Sequence, residues 1–197
     1  MCYSEMLFIF KPNTRKVDRP KGFSLIELLI VMILISILVG VAVPSLRALS
    51  QNRQLTTQKD NFLTTIQLTR SEAIKRGIRV GLCPVASPGA STNVLACASS
   101  TNWATGWMAF VDDNGNDLRD IGGCPNPICE EIVRVWSALP SASSLTGPAT
   151  AISFLDTGRK TGTSASFSLL SADCSGKNKP TIAVTIQGYP SVSLEDC

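Results

Sequence analysis

The sequence predicts an α+β chain: a long N-terminal α-helix whose first half spans a membrane, then a C-terminal head of antiparallel β-sheet. Three observations carry this. One apolar run, FSLIELLIVMILISILVGVAVPSL, fills residues 23–46 with Glu27 as its only charge. A stripe of Leu55, Phe62, Ile66 and Ala73 follows at spacings of 7, 4 and 7, the period of a helix. From Ile78 onward the composition turns to Ser, Thr, Gly, Pro and β-branched residues in short runs between turn clusters, as short strands require.

The 197 residues hold 18 Lys+Arg, 15 Asp+Glu and no His. Without His, a Ser-His-Asp triad, a His-ligated zinc and an imidazole base are all excluded. No phosphate-cradling GxxxxGK[ST] loop and no nucleophile–base constellation is visible, so neither an enzyme nor a cofactor is expected. Seven Cys in a chain with only 17% charged residues point to an oxidising compartment.

Residues 1–22 carry Lys11, Arg15, Lys16, Arg19 and Lys21 against Glu5 and Asp18. Such an excess keeps that end in the cytoplasm and sends the other across. The run that follows suits a span, which needs roughly 20 residues for a hydrocarbon core of about 30 Å. A secretory h-region is only about 7–15 residues and ends in a small-x-small site. A carboxylate inside such a helix is costly and marks function; the plainer reading is that Glu27 complements the dipole of the first turn. Pro44 cannot donate a backbone bond, so a kink is expected there. Residues 47–77 read as an amphipathic helix on the far side of the membrane, ended by Gly77. At 1.5 Å per residue the helix from 23 to 76 would run roughly 80 Å.

In the head, 78–197, strands are expected at 79–83, 107–111, 132–136, 151–154, 166–170 and 181–186. No helix-length period recurs after Gly77. Trp107 and Phe110, three residues apart, cannot share one strand face. They are expected to divide between core and surface, or to flank a bulge. A structural role is favoured for these aromatics over a sugar-binding platform.

The segment RPKGFSLIELL (residues 19–29) resembles the type III signal of type IV pilins and type II secretion pseudopilins. That resemblance implies cleavage by prepilin peptidase between Gly22 and Phe23 on the cytoplasmic side, and methylation of the new N-terminus. It makes 1–22 a leader, Glu27 the fifth mature residue and Pro44 the twenty-second. Such a leader is long for the family, so both Met1 and Met6 stand as starts. Of the basic residues five leave with the leader, and of the acidic two, so the 175 remaining residues carry 13 of each. Glu27, one turn from the new amine, would pair with the terminal amine of a neighbouring subunit and fix axial register, a use for which buried polar groups have support. LTRSEAIKRGIRVGL (68–82) and the pattern Trp103-x-x-Gly106-Trp107-x-x-Phe110-x-Asp112 are similar to the GspH/FimT branch. The implied protein is a minor pilin or pseudopilin with a pilin-like fold. It would be anchored once in the bacterial inner membrane with its head periplasmic, then joined to other minor subunits and the major subunit at the tip of a pilus or pseudopilus. The sequence does not choose between the two machines.

Six Cys remain after Cys2, allowing 15 connectivities that sequence cannot resolve. Loop closure and strand layout order them Cys83–Cys97, Cys124–Cys129 and Cys174–Cys197, and a C-terminal disulfide is usual in related heads. A metal site is not expected, because Cys124 and Cys129 have no second pair. Asp112, Asn114 and Asn116 place oxygens at alternate positions, as a calcium loop does, but Asp117 or Leu118 stands where an EF-hand needs Gly. A polar turn is the favoured reading. Some relatives of this branch take up DNA through Gly-Arg-x-Arg, where this chain has Gly188-Tyr189-Pro190-Ser191. Nucleic acid is therefore not expected as a partner; Arg159, Lys160, Lys177 and Lys179 are the basic residues that would have to gather into a patch for it.

Overall fold

The computed structural model describes residues 22–121, 130–172, 174 and 179–197, apart from the side chains of 41, 43–45, 47 and 48. The chain forms two compact units, Met1–Ser45 and Leu46–Cys197. One helix, α1, runs Leu25–Arg76. It opens where the amides of Glu27 and Leu28 reach the Ser24 carbonyl at 3.1 and 3.2 Å. It closes at Gly77, whose φ of 66° suits the left-handed stop that Gly alone adopts cheaply. Pro44 lies within α1, one residue before the boundary between the units.

The second unit is built on the expected stripe. Leu55, Phe62, Ile66 and Ala73 are all buried. Thr65 and Thr69 lie among them, also buried. Their hydroxyls donate to the carbonyls four residues back, Asn61 O at 3.0 Å and Thr65 O at 2.8 Å. This local bond lets a polar side chain sit on an apolar face.

Among the described residues eight strands make two antiparallel sheets. The first has the order β3-β2-β1-β5, from β1 Val80–Pro84, β2 Trp107–Val111, β3 Ile132–Trp136 and β5 Ile152–Phe154. The second has the order β4-β6-β7-β8, from β4 Ser143–Thr146, β6 Ala165–Ser171, β7 Lys179–Val184 and β8 Pro190–Glu195. One core joins the stripe of α1 to Val80, Leu82, Trp107, Ile152 and Phe154 of the first sheet. It continues to Leu145, Phe167, Leu169, Ile182 and Val184 of the second. Phe62 lies at its centre, edge-on to Trp103, Trp107 and Phe167 with centroids 6.0, 5.1 and 4.8 Å away.

A second, smaller core gathers Cys83, Val85, Leu95, Met108 and Phe110 on the other face of β1 and β2. It explains why those strands are buried at every position instead of alternating. Of the two expectations for Trp107 and Phe110, the core–surface division is corrected and the flanking of an irregularity is what the strand shows. Neither reaches the surface; Trp107 enters the large core and Phe110 the small one, with a register shift against β3 between Ala109 and Phe110. Phe110 lies across Gly81 in the ladder, and a Cβ on Gly81 would stand 2.6 Å from its ring. Strands β4 and β8 were not expected. β4, SSLT, is short and small-residued, and β8 opens on a proline, which marks an edge.

Candidate functional site

The N-terminal segment presents its chemistry openly. Gly22 and Phe23 are exposed, and Glu27 sits in the first turn of α1. Every described side chain from Leu25 to Val39 is exposed, Leu25 by 86% and Val31, among the least open, by 46%. A helix apolar on all sides finds its partners outside its own chain. Among the described residues no helix is long and apolar enough to cross a membrane; the described side chains of the run are continuous from 22 to 40, and those at 41 and 43–45 lie outside them.

In the head, disulfides join Cys83 to Cys97, with Cα atoms 5.5 Å apart, and Cys174 to Cys197, 5.8 Å apart. The first binds the loop after β1 back onto that strand, where Ala98 N also donates to Pro84 O at 2.8 Å. The second ties the chain end beside β6. Cys124 and Cys129 lie outside the described residues.

The acidic loop is organised by an arginine. Asp112 is buried, and its oxygens accept from Asn116 N at 3.1 Å and Asp117 N at 3.2 Å. Arg79 Nε forms an ion pair with Asp112 at 2.8 Å, its N–H not aligned for a hydrogen bond. The same guanidinium pairs with Asp117, which also accepts from Ser153 Oγ at 2.6 Å. Asn114 and Asn116 turn their amides to Asp120. Glu130 clasps both ends of the loop, accepting from Asp113 N at 3.1 Å and Asp120 N at 2.9 Å. Burial pushes its carboxyl above the usual range, against those two amide bonds. In the loop of Asp112, Asn114 and Asn116 the Arg79 guanidinium lies against Asp112 and Asp117 and supplies the positive charge beside them. No group of three or more metal-ligating side chains occurs among the described residues. Sequence reasoning missed Arg79, whose only signal was a cation at the edge of a strand.

Of the four basic residues, Lys160 and Lys179 already have partners within the head. Lys160 is buried and donates to Thr161 O at 2.8 Å and Thr163 O at 2.7 Å; burial lowers its pKa, opposed by Asp117. Its backbone amide bonds Ile186 O, beyond the end of β7, while Lys179 opens β7 and pairs with Glu195 at 3.2 Å. The extended strand from Lys179 to Val184 alone spans about 17 Å. Arg159 is exposed, and Lys177 lies outside the described residues. At the turn from β7 to β8, Tyr189 stacks on the Arg70 guanidinium, 4.2 Å from its ring centre.

Comparison with known proteins gives these features a family. The signature of type II transport protein GspH matches residues 58–188, and the prokaryotic N-terminal methylation motif matches 18–43. Pilin-like protein PilA1 of Thermus thermophilus is 36% identical over 104 residues, 52% of this chain. The match covers 54% of that protein, so the chain spans about half the length of this curated relative. The fold is similar to that of type IV minor pilin FimU of Pseudomonas aeruginosa, with a TM-score of 0.52 at 12% identity over 75% of this chain and 92% of that one. The minor pseudopilin EpsH from the type 2 secretion system of Vibrio cholerae aligns at a TM-score of 0.43 and 12% identity, over 73% and 97%. The chain belongs to the GspH family of type II transport proteins and carries the prokaryotic N-terminal methylation motif.

Proposed function

We propose that this chain is inserted in the inner membrane with its N-terminus cytoplasmic and its head periplasmic. Prepilin peptidase then cuts it between Gly22 and Phe23, and it joins the tip complex that primes polymerisation of a type IV pilus or type II secretion pseudopilus. The observation that carries this is the exposed apolar helix of 25–39, interrupted only by Glu27 and Ser36. Its apolar side chains associate with lipid before assembly and with the helices of other minor and major subunits afterwards. Glu27 sets axial register by pairing with a neighbour's terminal amine, since an unpaired charge in that environment is costly. The head selects partners.

Deletion of the gene in its host, scored for surface pili with twitching and for secreted exoprotein, tests the reading. Loss of pili with normal secretion assigns the pilus; the converse assigns the secretion system. Complementation with Glu27→Val should leave the protein processed and membrane-bound but unassembled. Full pili and full secretion in the deletion strain would refute a priming role.

A further inference from the structure

Between α1 and the edge strand β3 the head carries a cleft of about 490 Å³, within the roughly 300–1,000 Å³ of small-molecule sites. The helix lines it with Gln54, Thr57, Gln58 and Asn61, a single stripe at helical spacing, and the sheet lines it with Trp107 and Trp136. None of the described residues lining it is charged. Trp107 is buried, and its indole N–H is already committed to Thr65 Oγ1 at 3.1 Å, so it offers the cleft only its ring. Trp136 is half-buried and stands opposite Trp107 in the ladder.

Gln58 is the unexplained group. It is only 7% exposed, yet neither its Oε1 nor its Nε2 has a hydrogen-bond partner. A buried polar group left unmet costs about 1–3 kcal/mol, and a native fold that keeps one does so for a reason. Gln54, Thr57 and Asn61 beside it are exposed. Each carboxamide brings two donors and an acceptor. The cleft therefore combines indole faces with a dense, neutral set of donors and acceptors.

That combination fits a ligand with an apolar C–H face, a rim of hydroxyls and no charge. We propose that the cleft binds a neutral saccharide. The pyranose C–H face lies against the indoles, and adjacent hydroxyls meet the carboxamides. Gln58, sealed in the empty cleft, reaches the ligand by turning between staggered rotamers. A phosphate or nucleic acid would need cations within the lining; Arg134 lies over the Trp136 ring, 5.2 Å from its centre, but does not itself line the cleft. A purely apolar ligand would leave the carboxamides of Gln54, Gln58 and Asn61 without a partner on it; the Thr57 hydroxyl already donates to Arg53 O at 2.9 Å. An extended peptide turns successive groups to opposite sides and is too sparse in donors for one helical stripe. The inference stands apart from the assembly role.

The test uses the full chain in micelles of a sugar-free detergent. Glucose, galactose, N-acetylglucosamine and their disaccharides are titrated, read by tryptophan fluorescence and by saturation-transfer NMR on the sugar. A saturable response is expected. Gln58→Leu and Gln54→Ala should each weaken it roughly tenfold, the loss of one or two hydrogen bonds. Gln58→Leu should melt no lower than wild type, because it removes the unmet amide, and exposed Gln54 keeps the test independent of folding. Thr56→Ala, whose hydroxyl bonds back to Asn52 O, should change nothing. Silence towards every sugar overturns the proposal, as does a response that survives both Gln substitutions. Loss of assembly in Gln58→Leu without any sugar response also overturns it, and marks the cleft as a contact between subunits.

Discussion

Replacing Phe62 by Ala tests whether helix and sheets form one core. The ring is 1% exposed and touches Trp107 of the first sheet and Phe167 of the second, with Trp103 between. Truncating a buried Phe to Ala costs about 3–5 kcal/mol. Three edge-on aromatic neighbours, each adding about 0.5–1.5 kcal/mol beyond area, place this site at the top of that range. Against a total stability of about 5–15 kcal/mol, the loss is a third or more. For a domain of this size it lowers the melting temperature by about 10–20 °C. Near-UV circular dichroism of the full chain in micelles is the suitable signal, because it reports the tryptophans of the head and not the apolar helix. Phe62→Leu should fall less. A cost under about 1 kcal/mol, the range of a surface change, would refute the shared core.

Glu130 and Glu72 should give opposite pH dependence. Burial raises the Glu130 carboxyl in the fold. Its ionised form therefore opposes folding fully above the folded pKa; the penalty shrinks as pH falls through that value and is gone below about 4.3. Glu130→Gln should remove this acid-side gain. Hydrogen bonding from Arg76 lowers Glu72, so its contribution is present above about 4.3 and lost as pH falls through the folded pKa; Glu72→Gln should destabilise at neutral pH and be silent in acid. Urea unfolding across that interval checks both, and parallel slopes would contradict them. Gly188→Ala would place a Cβ 2.1 Å from Gly158 O at φ +83°, so it should cost several times more than Gly162→Ala. Gly162 has a similar φ of +66° but open space around it, and Ala there should cost only about 1–2 kcal/mol.

Much of the fold was legible because its signals are local. The stripe Leu55–Phe62–Ile66–Ala73 repeats at helical period, Gly77 supplies the stop, and strands β2 and β3 fall on the residues their β-branched and aromatic content marks. The processing segment was legible as a motif. What stayed hidden depends on partners distant in sequence. Strand β4 forms because Leu145 meets Leu169 across the ladder, not because SSLT prefers to extend. β8 alternates Ser191, Val192, Ser193 and Leu194, a period of two that its opening proline obscured. The role of Arg79 needed Asp112 and Asp117, more than thirty residues away, to be brought to it. Lys160 looked like surface charge until two backbone carbonyls closed over it.

The place of Leu55, the first buried side chain of α1 among the described residues, decides where the head can be cut free. Trypsin acting after exposed Arg53 would release a fragment beginning at Gln54 that keeps every helical residue of the large core. Cleavage after Lys59 strips Leu55 away, and cleavage after Arg70 removes Phe62 and Ile66 as well, leaving Ala73 of the buried stripe as the helix's contribution to the large core. A resistant tryptic fragment should therefore start at residue 54, and a detergent-free head should be expressed from there or from slightly upstream.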